Sequence, residues 1–82
     1  MLAQMPIHEF MEFKNRVEKN TGFACYETQP DDQAVWYGLS SDFNDFKTEV
    51  GNELSTGNIA FLMDTGKKHM YSRKTHQWYQ ID

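Results

Sequence analysis

The C-terminal part of the chain carries its clearest structural pattern, because residues 57–81 read GNIAFLMDTGKKHMYSRKTHQWYQI. Three runs rich in apolar and aromatic residues, IAFLM, HMYS and QWYQI, are separated by two polar turns. Runs of this kind bounded by turn residues are typical of β-strands. Gly66 suits the left-handed position of a three-residue turn with a bulge over residues 64–66. A second turn over residues 73–76 completes a predicted antiparallel three-stranded meander spanning residues 58–81.

The lengths of the two turns predict the register of this meander. The three-residue turn places Met63 opposite Lys67 and therefore Ile59 opposite Tyr71, and the four-residue second turn places Tyr71 opposite Trp78. Successive side chains of a strand point to opposite faces of the sheet. One predicted face therefore carries Ile59, Phe61, Met63, Tyr71 and Trp78. The other predicted face carries Ala60, Leu62, Met70, Tyr79 and Ile81.

Both predicted faces are apolar, whereas a sheet with one solvated face alternates apolar with polar residues. Each face is therefore expected to be covered, and two arrangements achieve this. The predicted helices each cover one face, or both pack on the Trp78 face while a second copy or another protein covers the Tyr79 face. In the second arrangement Trp78 anchors the core, and Tyr79 belongs to a docking surface, since Tyr and Trp carry much of the energy of interfaces. The predicted contact residues are Leu62, Met70, Tyr79, Ile81, Trp36 and Tyr37.

The remainder of the chain predicts two helices and a hairpin. Apolar residues at three- and four-residue spacing, with Pro6 at the first position, predict a helix that ends near residues 19–22; its stripe is Ile7, Phe10, Phe13 and Val17. The runs FACYET and AVWYGL, joined by a turn containing Pro30, predict a β-hairpin. A second, short helix is indicated by the spacing of Phe43, Phe46, Val50 and Leu54. The fold class is therefore predicted to be α+β, in the order N-terminal helix, β-hairpin, second short helix and C-terminal meander.

Composition narrows the classes of function. The chain has 82 residues, enough for one small domain over residues 1–82. Its formal net charge of −4 argues against direct nucleic-acid binding, because phosphate would be repelled. Cys25 is the single cysteine, which favours a reducing compartment. No apolar run approaches the roughly 18 residues of a membrane span, and the first residues lack the pattern of a signal peptide. We therefore expect folding in a cytoplasm without membrane association.

The sequence contains no recognisable catalytic or metal-binding arrangement. The TGK motif at residues 65–67 lacks the upstream glycine and the following helix of a phosphate-binding loop. The histidines are scattered, and two imidazoles near one turn, without a third ligand, make a weak zinc site; they are His8, His69 and His76. We therefore expect a non-enzyme with no cofactor, no metal and no small-molecule substrate.

Residues 57–81 resemble a segment of many small tailed-phage proteins encoded among the head and tail structural genes. In that segment a glycine precedes a strand, an Asp-Thr-Gly-Lys turn follows, and a Tyr-containing strand leads to a Trp. The matching residues are Gly57, Asp64, Thr65, Gly66, Lys67, Tyr71 and Trp78. The resemblance implies structural roles for Gly57, Asp64, Gly66, Tyr71 and Trp78, and a role in the virion or its assembly.

Two functions are compatible with these observations. The leading hypothesis is a phage or prophage structural or morphogenesis protein, located in the virion and assembled in the host cytoplasm, that contacts other protein chains or itself. The alternative is a small inhibitor, encoded by a mobile element, that binds a host protein, since compact acidic proteins can block basic clefts.

Overall fold

A computed structural model describes residues 4–82 as two α-helices and one five-stranded mixed sheet. In chain order the elements are α1 (Ile7–Thr21), β1 (Ala24–Cys25), β2 (Val35–Gly38), a 3-10 turn (Ser40–Asp42), α2 (Phe43–Val50), β3 (Ile59–Leu62), β4 (Lys67–Ser72) and β5 (Gln77–Gln80). The strands lie in sequence order across the sheet. The predicted α+β class is confirmed.

One feature of the sheet differs from the predicted arrangement of a separate hairpin and meander. The hairpin β1–β2 and the meander β3–β4–β5 both form, but β2 also pairs with β3 in parallel. Parallel neighbours need a crossover connection, and here the crossover contains α2. The hairpin and the meander are therefore two parts of a single sheet.

The stripe of α1 forms the first half of the core. Phe10, Phe13 and Val17 are buried. Gly22 ends the helix in the left-handed conformation, with a φ of 81° and its N–H donating to the Glu18 carbonyl. A glycine at this position is a common helix C-cap. Ile7 does not join this stripe as predicted, because it lies in the first turn and is 57% exposed.

The second helix packs against the first. Phe46 and Val50 of α2 are buried, and Leu54 joins them from beyond the end of the helix. On the surface, the Arg16 guanidinium contacts the carboxylates of Glu49 and Glu53, each at 2.8 Å. Exposed ion pairs contribute little individually, so buried apolar contact is what holds α1 to α2.

The register between β3 and β4 differs by one residue from the prediction. Ile59 pairs with Met70, and Leu62 pairs with Lys67, so the intervening turn has four residues and not three. Gly66 takes a φ of 75°, and its N–H donates to the Leu62 carbonyl at 2.8 Å. A slip of one residue moves every side chain of a strand to the other face. The predicted faces of β3 are therefore exchanged.

The register between β4 and β5 is as predicted, with Tyr71 opposite Trp78 across a four-residue turn. The core face of the sheet consequently carries Ala60 and Leu62 beside Tyr71 and Trp78. Both helices pack on this face, as the second of the two predicted arrangements requires.

Trp36, and not Trp78, is the principal aromatic anchor of this core. Trp36 is fully buried, and its ring lies 5.7 Å from each of the rings of Phe13 and Phe46. Its indole N–H donates to the side-chain oxygen of buried Asn58 at 3.1 Å. Trp78 is only partly buried, at the side of the same cluster. The prediction of Trp36 as a contact residue is therefore corrected, because β2 is an internal strand whose Trp36 faces the helices.

Candidate protein-docking surface

The face of the sheet opposite the helices is exposed along much of its length, and we call it the open face. Its residues alternate with those of the core face along the five strands and their immediate extensions. They are Ala24, Tyr26, Val35, Tyr37, Ile59, Phe61, Lys68, Met70, Ser72, Gln77, Tyr79 and Ile81. Exposure is greatest at the two sides, where Tyr26 is 76%, Ile81 51% and Tyr79 49% exposed.

A row of aromatic rings crosses the middle of the open face. The rings of Tyr26 and Tyr37 lie 5.7 Å apart, those of Tyr37 and Phe61 lie 5.8 Å apart, and the Lys68 ammonium is 5.8 Å from the Phe61 ring. These are the separations of edge-to-face and offset aromatic pairs and of cation–π contacts. The side chains of the row therefore contact one another in the free chain.

A shallow depression of about 420 Å³ lies within this row. Its lining consists of Val35, Tyr37, Ile59, Phe61 and Lys68. Four of these side chains are apolar or aromatic, and the fifth is a cation. Apolar lining with one oriented polar group is the usual composition of a recognition pocket.

The sequence of β2 explains how one strand contributes large side chains to both faces of the sheet. The strand reads VWYG, without the alternation of apolar and polar residues of a half-solvated strand. Trp36 points into the core and Tyr37 to the open face. Gly38 lies on the core side, where an added Cβ would come within 2.5 Å of the Phe23 ring. Glycine at this position thus lets Phe23 pack directly on the strand.

The structure separates the predicted contact residues into two groups. Met70, Tyr79, Ile81 and Tyr37 lie on the open face. Leu62 and Trp36 lie on the core face, where Leu62 is 5% exposed; the one-residue slip at the β3–β4 turn moves Leu62 there.

Several open-face residues are absent from the predicted contacts; they are Ala24, Tyr26, Val35, Ile59, Phe61, Lys68, Ser72 and Gln77. The correct turn length would have identified Ile59 and Phe61, because it exchanges the faces of β3. Val35 joins this surface through the parallel pairing of β2 with β3, which the unbroken apolar run of β2 could have indicated. Tyr26 follows β1, whose pairing with β2 is part of the predicted hairpin.

Asp64 connects the β3–β4 turn to the start of the 3-10 turn that leads into α2. Its carboxylate accepts hydrogen bonds from the Ser40 hydroxyl and from the Ser40 backbone N–H, the latter at 2.9 Å. The hydroxyl bond, followed by the backbone bond, lowers the pKa of Asp64 below its ordinary value. Asp64 therefore occupies the position of an N-terminal cap, supplied from a distant part of the chain.

Gly57 and Tyr71 join the loop before β3 to the meander. Gly57 has a φ of 104°, and its N–H donates to the Tyr71 carbonyl at 3.1 Å. A Cβ at Gly57 would approach the Asp32 carbonyl oxygen to 3.3 Å. Tyr71 itself is 1% exposed and packs on Trp78 with ring centroids 5.2 Å apart. These contacts fix the loop before β3 against the meander and contribute to the core.

The titratable groups of the interior offer little chemistry. Burial raises the pKa of the Cys25 thiol, which disfavours the reactive thiolate. The His69 ring packs against the Phe43 ring at a tilt of 44°, with the ring centroids 4.7 Å apart, and its Nδ1 is buried without a hydrogen-bond partner. Burial, followed by the nearby Lys47 charge, lowers the pKa of His69. Within residues 4–82, no three His, Cys, Asp or Glu side chains are grouped to hold a metal ion. Over the same range, no helix combines the length and apolar character needed to cross a bilayer.

The chain matches no protein-family model, no curated protein sequence and no solved structure at a significant level. The geometry of the open face is therefore the main basis for proposing a function.

Proposed function

We propose that this chain is a structural or morphogenesis protein of a tailed phage or prophage, and that it acts by binding another protein through its open face. The observation that carries the proposal is an apolar, aromatic sheet face on which neither helix packs. Exposed apolar patches on monomers are usually small, and larger ones commonly mark interaction sites.

The exposed area of this face is in the range of a functional patch. Tyr26, Met70, Tyr79 and Ile81 are 76%, 37%, 49% and 51% exposed. At roughly 200 Å² for a large side chain, these four residues alone present about 400 Å². The half-buried residues around the depression and the Lys68 stem add to this area. A patch of a few hundred Å² is the size at which exposed apolar surface commonly marks an interaction site.

The resemblance of residues 57–81 to small tailed-phage proteins supports the setting of the proposal. In the proposed setting the chain belongs to the virion and is assembled in the host cytoplasm. In that setting the chain needs a contact surface and no catalytic group, and the open face provides such a surface.

The proposal is tested on particles produced by the strain that carries the gene. Particles are purified through two density gradients, and the copy number of this chain per particle is measured by quantitative mass spectrometry. The proposal predicts a fixed number of several copies per particle, or a fixed association with assembly intermediates. Absence from both, under conditions where the chain is expressed, contradicts it.

A second candidate function is inhibition of a host protein, and a different surface favours it. A depression of about 420 Å³ near the start of α1 is lined by the acidic side chains of Glu9 and Glu53, together with Gln4, Met5, Pro6 and Asn52. An acidic concavity complements a basic surface. This function predicts a one-to-one complex with one host protein that is weakened by Glu9→Lys and unaffected by Tyr79→Glu.

A further inference from the structure

Lys68 is the single charged residue of the open face. It projects from β4, and its pairing partner on β3 is Phe61. It lines the apolar depression together with Val35, Tyr37 and Ile59. Any partner that covers the depression therefore also covers a cation.

The ammonium of Lys68 is only loosely paired within the chain. Its nearest carboxylate oxygen belongs to Asp82, at 4.0 Å, and the two side chains are 46% and 68% exposed. Exposed pairs of this kind contribute little free energy. Lys68 is therefore available to an anion from a partner.

Covering this lysine imposes a chemical requirement on the partner. Burial of a cation against apolar surface is costly unless an anion pairs with it and accepts its hydrogen bonds. A second copy placed face to face brings the Asp82 carboxylate only together with its own Lys68 ammonium, which lies 4.0 Å from it. It therefore adds no net anion to the covered lysine. The requirement is met by a different chain that presents an acidic side chain next to an apolar one.

We infer that the open face binds a segment of another protein in which an apolar side chain fills the depression and a neighbouring Asp or Glu pairs with Lys68. This inference rests on the proposed function, and it adds the chemistry of the partner. Lys68 then has two roles: it strengthens the binding of acidic segments, and it disfavours apolar segments that lack an acid.

A charge-swap selection tests the inference. A random 12-residue peptide display library is panned against the immobilised chain and, in parallel, against Lys68→Glu and Lys68→Met. The parent is expected to select peptides with Asp or Glu adjacent to a large apolar residue. Lys68→Glu is expected to select Lys or Arg at that position, and Lys68→Met is expected to show no charge preference.

Binding constants of individual peptides then give the size of the effect. A parent-selected peptide is expected to bind Lys68→Glu at least roughly tenfold more weakly, as for loss of a charge pair at a partly desolvated contact. Lys74→Glu, which makes the same charge change in the exposed β4–β5 turn, is the matched control and is expected to change affinity less than twofold. Circular dichroism of each variant checks that the fold is retained.

The outcomes separate this inference from the proposed function. Peptides that lose binding on Tyr79→Glu but show no acidic preference overturn the inference and leave the docking face in place. Failure to select any peptide that depends on Tyr79 or Lys68 contradicts both. A parent that forms dimers which Tyr79→Glu dissociates overturns the inference of a different chain as the partner.

Discussion

Replacement of Trp36 by phenylalanine tests the core of this fold at its most constrained point. The Trp36 indole N–H donates to Asn58, whose side-chain NH2 group in turn donates to the carbonyls of Asp32 and Ser55, both at 3.0 Å. Asn58 is fully buried. Phenylalanine lacks the N–H and leaves the Asn58 oxygen without this donor, a cost of about 1–3 kcal/mol.

The smaller ring adds a second cost. It buries roughly 40–50 Å² less apolar surface, which corresponds to about 1 kcal/mol. The free energy of unfolding should therefore fall by about 2–4 kcal/mol, and the melting temperature by about 10–25 °C. Trp78→Phe is the matched control, because Trp78 is only partly buried at the side of the cluster. It should cost less than about 1 kcal/mol.

Urea unfolding followed by far-UV circular dichroism measures both variants on the same scale. The chain has two tryptophans, so fluorescence of Trp36→Phe reports the environment of Trp78 alone. If Trp78→Phe destabilises the chain as much as Trp36→Phe does, the assignment of Trp36 as the anchor is wrong.

Further predictions concern the two faces, one turn and two titratable groups. Met70→Glu should leave the chain folded while Tyr71→Glu unfolds it, because these neighbours on β4 are 37% and 1% exposed; circular dichroism compares them, and equal stability would contradict the assigned faces. Gly66→Ala should lower the free energy of unfolding by about 1–2 kcal/mol, because the φ of 75° is unfavourable for alanine. The new Cβ would meet nothing within 4 Å, so the cost comes from the backbone conformation alone; an unchanged melting temperature would contradict the left-handed turn. Because the folded pKa of His69 lies below its ordinary value of 6.5, stability should be full above pH 6.5 and fall as the pH drops through the folded pKa. His69→Phe should flatten this dependence in urea titrations between pH 7.5 and 5, and an unchanged slope would exclude His69 as its source. Asp64→Asn should be less stable than the parent above pH 4 and converge with it at lower pH, because the pKa of Asp64 is lowered by hydrogen bonds; parallel stability curves at pH 2.5–6 would contradict this.

Local sequence patterns were sufficient for several parts of the fold. The stripe of α1 is visible in the spacing of Phe10, Phe13 and Val17. The four-residue β4–β5 turn fixes Tyr71 opposite Trp78, as observed. In each case the deciding interactions lie within a few residues along the chain.

The missed features depend on contacts between distant residues. The β3–β4 turn has four residues, and Asp64 within it is bound by Ser40, which lies 24 positions earlier. A prediction from the turn sequence alone contains no information about that contact. The parallel pairing of Val35 with Ile59 likewise joins residues 24 positions apart, and it is this pairing that encloses Trp36.

The candidate docking face was predicted in part for the same reason. Sequence alternation correctly grouped Met70 with Tyr79, which share the β4–β5 hairpin. It placed Leu62 with them because an error of one residue in the preceding turn exchanges the two faces of β3. The sequence does not show that Lys68 lines an apolar depression, so its charge could not be identified as a binding feature before the structure was known.

The most direct test of the central claim is the incorporation of Tyr79→Glu into purified particles, measured against Asn15→Glu by quantitative mass spectrometry. Tyr79 lies on the open face and is 49% exposed, whereas Asn15 is an exposed residue of α1. Both substitutions introduce one negative charge, and circular dichroism establishes that both variants fold. The open-face account predicts that Asn15→Glu is incorporated at the parental level and that Tyr79→Glu is excluded by at least roughly tenfold, as expected for a charge placed in an apolar interface. Equal incorporation of the two folded variants would contradict it.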